Sequence, residues 1–199
     1  MPEADASAPP IETGLSAIVE EAAALLGRVA GLEAELDRAA GLLVASLRAG
    51  GKALACGNGG SAADAAHFTT ELVVRFEADR RGLPAVSLSS HGGDLTAIGN
   101  DLDFERVFAR QVEALGRPGD VLLAISTSGQ SPNVVAGLRR AKEMGLRTVA
   151  LLGRDGGACR GLADVELIVP HERTARIQEV HQLLLHALCG AVDRAFVDG

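Results

Sequence analysis

Apolar residues follow two different periods along this chain, and the change near residue 51 divides it. From Glu12 to about Gly50 the spacing is helical. Leu15, Ile18, Val19, Ala22 and Leu25 recur at steps of three and four, as do Leu32, Leu36, Ala39, Leu42, Leu43 and Leu47. Gly27 to Gly31 marks a break, so the pattern predicts two helices or one kinked helix. Their apolar stripe has to be buried, on the rest of the chain or on a second subunit. Residues 1–11 (MPEADASAPPI) have no period and read as a frayed tail. Beyond Gly51, short apolar runs alternate with amphipathic stretches. The runs Lys52–Cys56, Pro84–Leu88, Asp120–Ile125, Arg147–Leu152 and Val165–Val169 read as strands. Helices are expected over 61–79, 92–99 with 103–116, 131–144 and 174–197, with a short turn near 157–163. Strands that are apolar throughout, with helices between them, predict a parallel sheet covered on both faces. The expected fold is therefore an α/β three-layer sandwich with a five-stranded parallel sheet. A helical segment at 12–50 precedes the main domain at 51–199.

Composition narrows the function. The 199 residues carry 26 acidic and 19 basic side chains, a formal net charge of -7, with no Trp, no Tyr and 5 Phe. Lys52 and Lys142 are the only lysines. Tracking a nucleic-acid backbone needs a basic face and base stacking needs aromatic rings, so no nucleic-acid partner is expected. No apolar run reaches the roughly 20 residues of a membrane span. No signal sequence is read at the N-terminus, where Glu3 and Asp5 are acidic. Cys56, Cys159 and Cys189 are odd in number and far apart, which suits a reduced, cytoplasmic protein better than a disulfide framework.

In an open parallel sheet, ligands bind beyond the carboxyl ends of the strands. The first strand runs into Gly57-Asn58-Gly59-Gly60-Ser61, followed by Asp64. Its glycines let backbone approach a ligand, and Ser61 suits a helix N-cap; a plain tight turn would use the same residues. The third strand runs into Ser126-Thr127-Ser128-Gly129-Gln130-Ser131 at a helix entry. A capping box with spare serines would use the same residues, but four hydroxyls exceed what a cap needs, and with free N–H groups they suit a phosphate site. Asn100 and Asp101 suit either sugar hydroxyls or a turn. His67 and Glu71 share a helix face at i,i+4, with Arg75 one turn on; they suit a metal, an acid/base pair or a plain surface pair. The last helix places Gln178, Glu179, His181, Gln182 and His186 among leucines, and polar groups buried there need partners. Spacing leaves open which of them converge.

Taken jointly and in this order, Gly57-Asn58-Gly59-Gly60-Ser61, His67-x3-Glu71, Ser126-Thr127-Ser128-Gly129 and Arg176-Ile177-Gln178-Glu179 with His181 and His186 resemble the phosphoheptose isomerases of the sugar isomerase (SIS) superfamily. The similarity spans roughly residues 40–199. It implies an aldose–ketose isomerase that converts sedoheptulose 7-phosphate to a heptose 7-phosphate of the D-glycero-D-manno type through an enediol, the entry step to activated heptoses. It places one zinc ion on His67, Glu71, Gln178 and His186, and makes Glu71 and His186 the acid/base candidates. It sets the phosphate on Ser126, Thr127, Ser128 and Ser131, with Gln178 also at the substrate. Asn58, Gly59, Gly60, Ser61, Arg75, Asn100 and Asp101 would line the sugar, with Asp64 near a subunit boundary of a homotetramer. Gln178 and His186 lie eight residues apart, about 12 Å along an ideal helix. Sharing a metal then requires an unwound helix entry or a second subunit. A non-catalytic SIS protein, binding a replication initiator or sensing a sugar phosphate, tends to lose the Glu and the last His, and both are present here. An isomerase of another phosphosugar is the remaining alternative. His91 and His181 have no assigned role.

Overall fold

The five expected runs form one fully parallel sheet in the computed structural model, which describes residues 13–197. The expected tail at 1–11 lies outside the described residues. The strands are β1 (Ala53–Gly57), β2 (Ala85–Ser87), β3 (Val121–Ser126), β4 (Arg147–Gly153) and β5 (Val165–Val169), in the order β2-β1-β3-β4-β5. β1 and β3 are buried at every position. Alternation along them explains why. Ala53, Ala55, Val121, Leu123 and Ile125 face one helical layer, while Leu54, Cys56, Leu122 and Ala124 face the other.

The first layer holds α1 (Leu15–Val29), α2 (Glu33–Arg48), α3 (Gly60–Val73) and α7 (Thr174–Phe196). Ala39, Leu43 and Leu47 of α2 share a core with Phe68 and Leu72 of α3 and Leu185 and Leu188 of α7. α1 buries only Leu25 and Val29. The second layer packs α5 (Val107–Leu115) and α6 (Pro132–Glu143) through Phe108, Val112, Val134 and Leu138, with α4 (Gly92–Asp101) at its margin. The break expected near Gly27–Gly31 is a 3₁₀ turn over Ala30–Leu32.

Two boundaries differ from the sequence reading. β2 is an edge strand of three residues, only partly covered. α3 ends at Val73 rather than near 79. Arg80 supplies the reason: its guanidinium donates to the carbonyls of Glu71 (2.8 Å) and Leu72 (3.0 Å), closing the helix end from outside. Asp193 of α7 holds Arg80 in place, accepting from its Nε at 2.7 Å and from the N–H groups of Glu77 and Ala78, each at 2.8 Å. Burial works against the ionised Asp193, yet those N–H groups and the Arg80 guanidinium outweigh it and hold the carboxyl below its usual range.

The strand order places the chemistry. From β1 the chain goes to one side for β2 and then to the other for β3. The gap beyond the ends of β1 and β3 is therefore the switch point where ligands bind in such sheets. The register sets Gly57 opposite Ile125 and Ser126 opposite Leu152, so the loops after β1, β3 and β4 leave the same edge.

Candidate active site

The loop after β1 packs closely, on backbone at Gly57 and on the movable end of a side chain at Gly60. A Cβ on Gly57 would lie 2.6 Å from the Ser61 carbonyl oxygen, and one on Gly60 would lie 2.1 Å from Nε2 of Gln178. Gly59 is the residue before the helix, with φ 57° and ψ -122°. Helix α3 starts at Gly60, so Ser61 is not the N-cap. It is buried in the first turn, its N–H donating to the Asn58 carbonyl at 3.0 Å.

The hydroxyl loop after β3 folds on itself. Ser126 Oγ accepts from the Gly129 N–H at 3.1 Å and lies 3.2 Å from Ser131 Oγ. Ser128 Oγ accepts from the Gln130 N–H at 3.1 Å. Ser131 precedes α6 but makes no side-chain cap; its hydroxyl pairs with that of Ser126 and lines the hollow over the loop. The loop also rests on the β4–β5 connection. Gly129 O accepts from the Cys159 N–H at 2.9 Å, and a Cβ on Gly129 (φ +64°) would lie 2.2 Å from the Gly156 carbonyl oxygen. Hydroxyls, loop N–H groups and the start of a 12-residue helix together suit a phosphate group.

The second cluster joins α3 to α7. Nε2 of His67 and Nε2 of His186, 119 residues apart in sequence, face each other at 2.9 Å. The side-chain amide of Gln182 lies 2.9 Å from the same His186 nitrogen. Glu71 approaches His67 from its other side, with Oε1 3.7 Å from Nδ1. Phe76 stacks beside His186 with ring centroids 5.2 Å apart. Asp64, one turn before His67, has an Oδ2 that is buried without a hydrogen-bond partner. Burial raises the Asp64 carboxyl above its usual range, with the charge of His67 opposing.

The structure brings together His67, Glu71 and His186. It does not bring Gln178 to them. α7 is helical from Thr174 to Phe196, so Gln178 stays two turns from His186 and presses against Gly60. The amide at the histidine pair is Gln182, which sequence spacing left undecided against Gln178. Arg75 lies beyond the end of α3, exposed and off the helix face expected for it. Asn100 and Asp101 are exposed at the end of α4 and bond to each other at 2.7 Å. The hollow over the two loops is instead lined by Asp103, Phe104 and Glu105 together with Asn58, Ser131 and Asn133. Thr127 is half-buried within the hydroxyl loop.

The donors present suit a borderline metal such as zinc: two imidazole nitrogens facing each other at 2.9 Å, an amide beside them and a carboxylate within reach. Among the described residues no group of three or more His, Cys, Asp or Glu side chains is drawn together tightly enough to hold a metal ion. A metal carried by this chain alone would rest on His67, His186 and an amide, with Glu71 turning in.

Comparison with known proteins matches this arrangement to one family. The SIS domain profile matches residues 18–153. A phosphoheptose isomerase of Aromatoleum aromaticum is 55% identical over 165 residues, 81% of this chain and 83% of that protein. The solved phosphoheptose isomerase of Neisseria gonorrhoeae superposes with a TM-score of 0.85 at 46% identity, covering 90% of this chain and 97% of its own. That of Francisella tularensis gives a TM-score of 0.87 at 38% identity, covering 90% and 96%. With the sheet order, the two loops and the paired histidines in place, the chain belongs to the phosphoheptose isomerase family of SIS-domain enzymes.

Proposed function

We propose that this enzyme converts sedoheptulose 7-phosphate to D-glycero-D-manno-heptose 7-phosphate, the first step toward activated heptoses. The observation that carries this reading is the His67–His186–Glu71 cluster, suited to proton transfer, in a chain that also builds a hydroxyl loop suited to phosphate.

Isomerisation removes a proton from C1 of the ketose, passes through an enediol and returns a proton to C2, while the carbonyl and hydroxyl oxygens exchange protons. In this reading Glu71 takes the carbon-bound proton; its side-chain carboxylate makes no hydrogen bond among the described residues, which supports that role. His186, held between His67 and Gln182, carries the hydroxyl protons. Ser126, Thr127, Ser128 and Ser131 fix the remote phosphate, and that binding orients the reacting end. His67 and His186, with Gln182 or Gln178 and Glu71, are the residues that would hold zinc. When bound, zinc would polarise the substrate oxygens as a Lewis acid. Zinc titration of the chelator-treated protein reads this directly. One tight site should appear in the wild type and be lost in His67→Ala.

The fold supports a homo-oligomer, which we read as a tetramer working in the cytoplasm. Leu26, Val29, Leu36, Leu183, Leu184 and Ala187 line an apolar groove between α1–α2 and α7, and Leu15 and Val19 are exposed along α1.

Turnover of sedoheptulose 7-phosphate by the purified protein tests the function. Equal or faster turnover of pentose or hexose phosphates would assign it to another sugar.

A further inference from the structure

Asn133 was not among the residues expected at the site, yet it is 3% exposed and sits in the first turn of α6, beside the hydroxyl loop. Its side chain meets Asn58 of the glycine loop in a two-bond ring. Asn133 Nδ2 donates to Asn58 Oδ1 at 2.9 Å, and Asn58 Nδ2 donates to Asn133 Oδ1 at 2.9 Å. Turning either amide alone would set oxygen against oxygen and nitrogen against nitrogen, so the ring fixes both side chains relative to each other. It is the side-chain link between the two loops that flank the switch point. Neither loop needs it to satisfy its own backbone: Ser61 and Ala62 bond back to Asn58 and Gly59, and Gly129 bonds to Ser126.

We propose that Asn133 is a positioning residue for the isomerase reaction, acting through Asn58 to set the separation between the phosphate loop and the sugar loop. The proposal rests on the sugar-phosphate reading above, because it assigns the two loops to the two ends of one substrate. The ring also uses one edge of the Asn58 amide. Asn58 then offers a ligand only its remaining N–H and lone pair, and its main task is to join the loops. A substrate held at both ends feels an error in loop separation as weaker binding, while groups on α3 and α7 keep their geometry. Loss of the ring should therefore raise KM and leave kcat close to its wild-type value.

The test compares Asn133→Ala and Asn133→Asp with the wild type for sedoheptulose 7-phosphate turnover from about pH 8 to about pH 5. Aspartate has the shape of asparagine. Ionised, it sets a carboxylate oxygen against Asn58 Oδ1; protonated, its O–H donates there and the two-bond ring returns. Asn133→Ala should raise KM by about tenfold at every pH, with kcat within about twofold. Asn133→Asp should match that loss at the alkaline end and regain most of it, relative to the wild type at the same pH, toward the acid end. Burial at this position and the facing Asn58 Oδ1 disfavour the ionised carboxylate, which moves its protonation up toward this pH range. A wild-type KM in Asn133→Ala, or a KM ratio for Asn133→Asp that does not change with pH, overturns the proposal. If the wild type leaves sedoheptulose 7-phosphate untouched, the functional reading falls, and the ring is judged by urea midpoints instead. There Asn133→Asp must gain on the wild type as pH falls, and a constant difference overturns it.

Discussion

His186 touches His67 and Gln182 through one ring nitrogen, while the carboxylate of Glu71 stands 3.7 Å from the far side of the His67 ring. This separates two roles within a few ångströms. Glu71→Gln should lower kcat by at least about a hundredfold, with sugar-phosphate binding measured by calorimetry retained. His186→Asn should behave alike; full activity in either variant would remove that residue from the mechanism. His181 is different. It is wholly buried on α7, and neither ring nitrogen has a hydrogen-bond partner. Burial lowers its pKa from 6.5 to about 4; the Leu152 carbonyl opposes the shift without reaching hydrogen-bond geometry. The unfolded chain thus takes up this proton first. The stability is fully present above the unfolded value of 6.5 and drains away as pH falls toward about 4, roughly 3 kcal/mol at most. Urea midpoints should fall across that window, and His181→Leu should flatten the fall. The residues at the site were legible in unequal measure. His67 and Glu71 announce themselves by i,i+4 spacing. Gln182 could not be chosen over Gln178 until α7 proved helical past both. Asn133 gave no signal, because its meaning depends on a partner 75 positions away.

At the scale of elements, the hydroxyl loop depends on what lies behind it. Gly129 has a left-handed φ and faces the Gly156 carbonyl, so Gly129→Ala strains the backbone and pushes the loop off its seat. KM for the phosphorylated substrate should rise by about tenfold or more, with a smaller change in kcat. The end of α3 depends on the nearly buried Arg80–Asp193 pair, at 2.7 Å. Asp193→Ala leaves a buried guanidinium and two N–H groups without their acceptor, and should cost about 3 kcal/mol in urea unfolding. Most elements were readable because their periods differ: β1, β3 and β4 from Val149 on are apolar runs, and α2 and α7 are regular helices. The end of α3 was not, since residues 74–79 keep a helical composition and only a long-range arginine cap stops them. β2 was shorter than its apolar run because it pairs on one side only.

For the whole molecule, the sheet order gathers both loops at one edge, while the long α3 and α7 bring their histidines together. The parallel sheet and its helical layers followed from alternation of apolar runs with amphipathic stretches; the strand order did not, because nothing local encodes which strands pair. α1 presents Leu15, Val19 and Leu26 outward, next to the groove beside α7. Sedimentation should therefore find an assembly larger than one chain, and Leu26→Glu with Leu183→Glu should shift it toward smaller species; an unaltered distribution would place the contact elsewhere. The proposed reaction moves a proton between C1 and C2 of a seven-carbon sugar phosphate, with Glu71 as the proposed base. The most direct measurement is conversion of sedoheptulose 7-phosphate in deuterated water, followed by NMR for wild type and Glu71→Gln. Heptose 7-phosphate should form, with solvent deuterium entering at the carbon that is protonated, and both should be lost in the variant. Absence of conversion by the wild type, or undiminished conversion by Glu71→Gln, would contradict the proposed reaction.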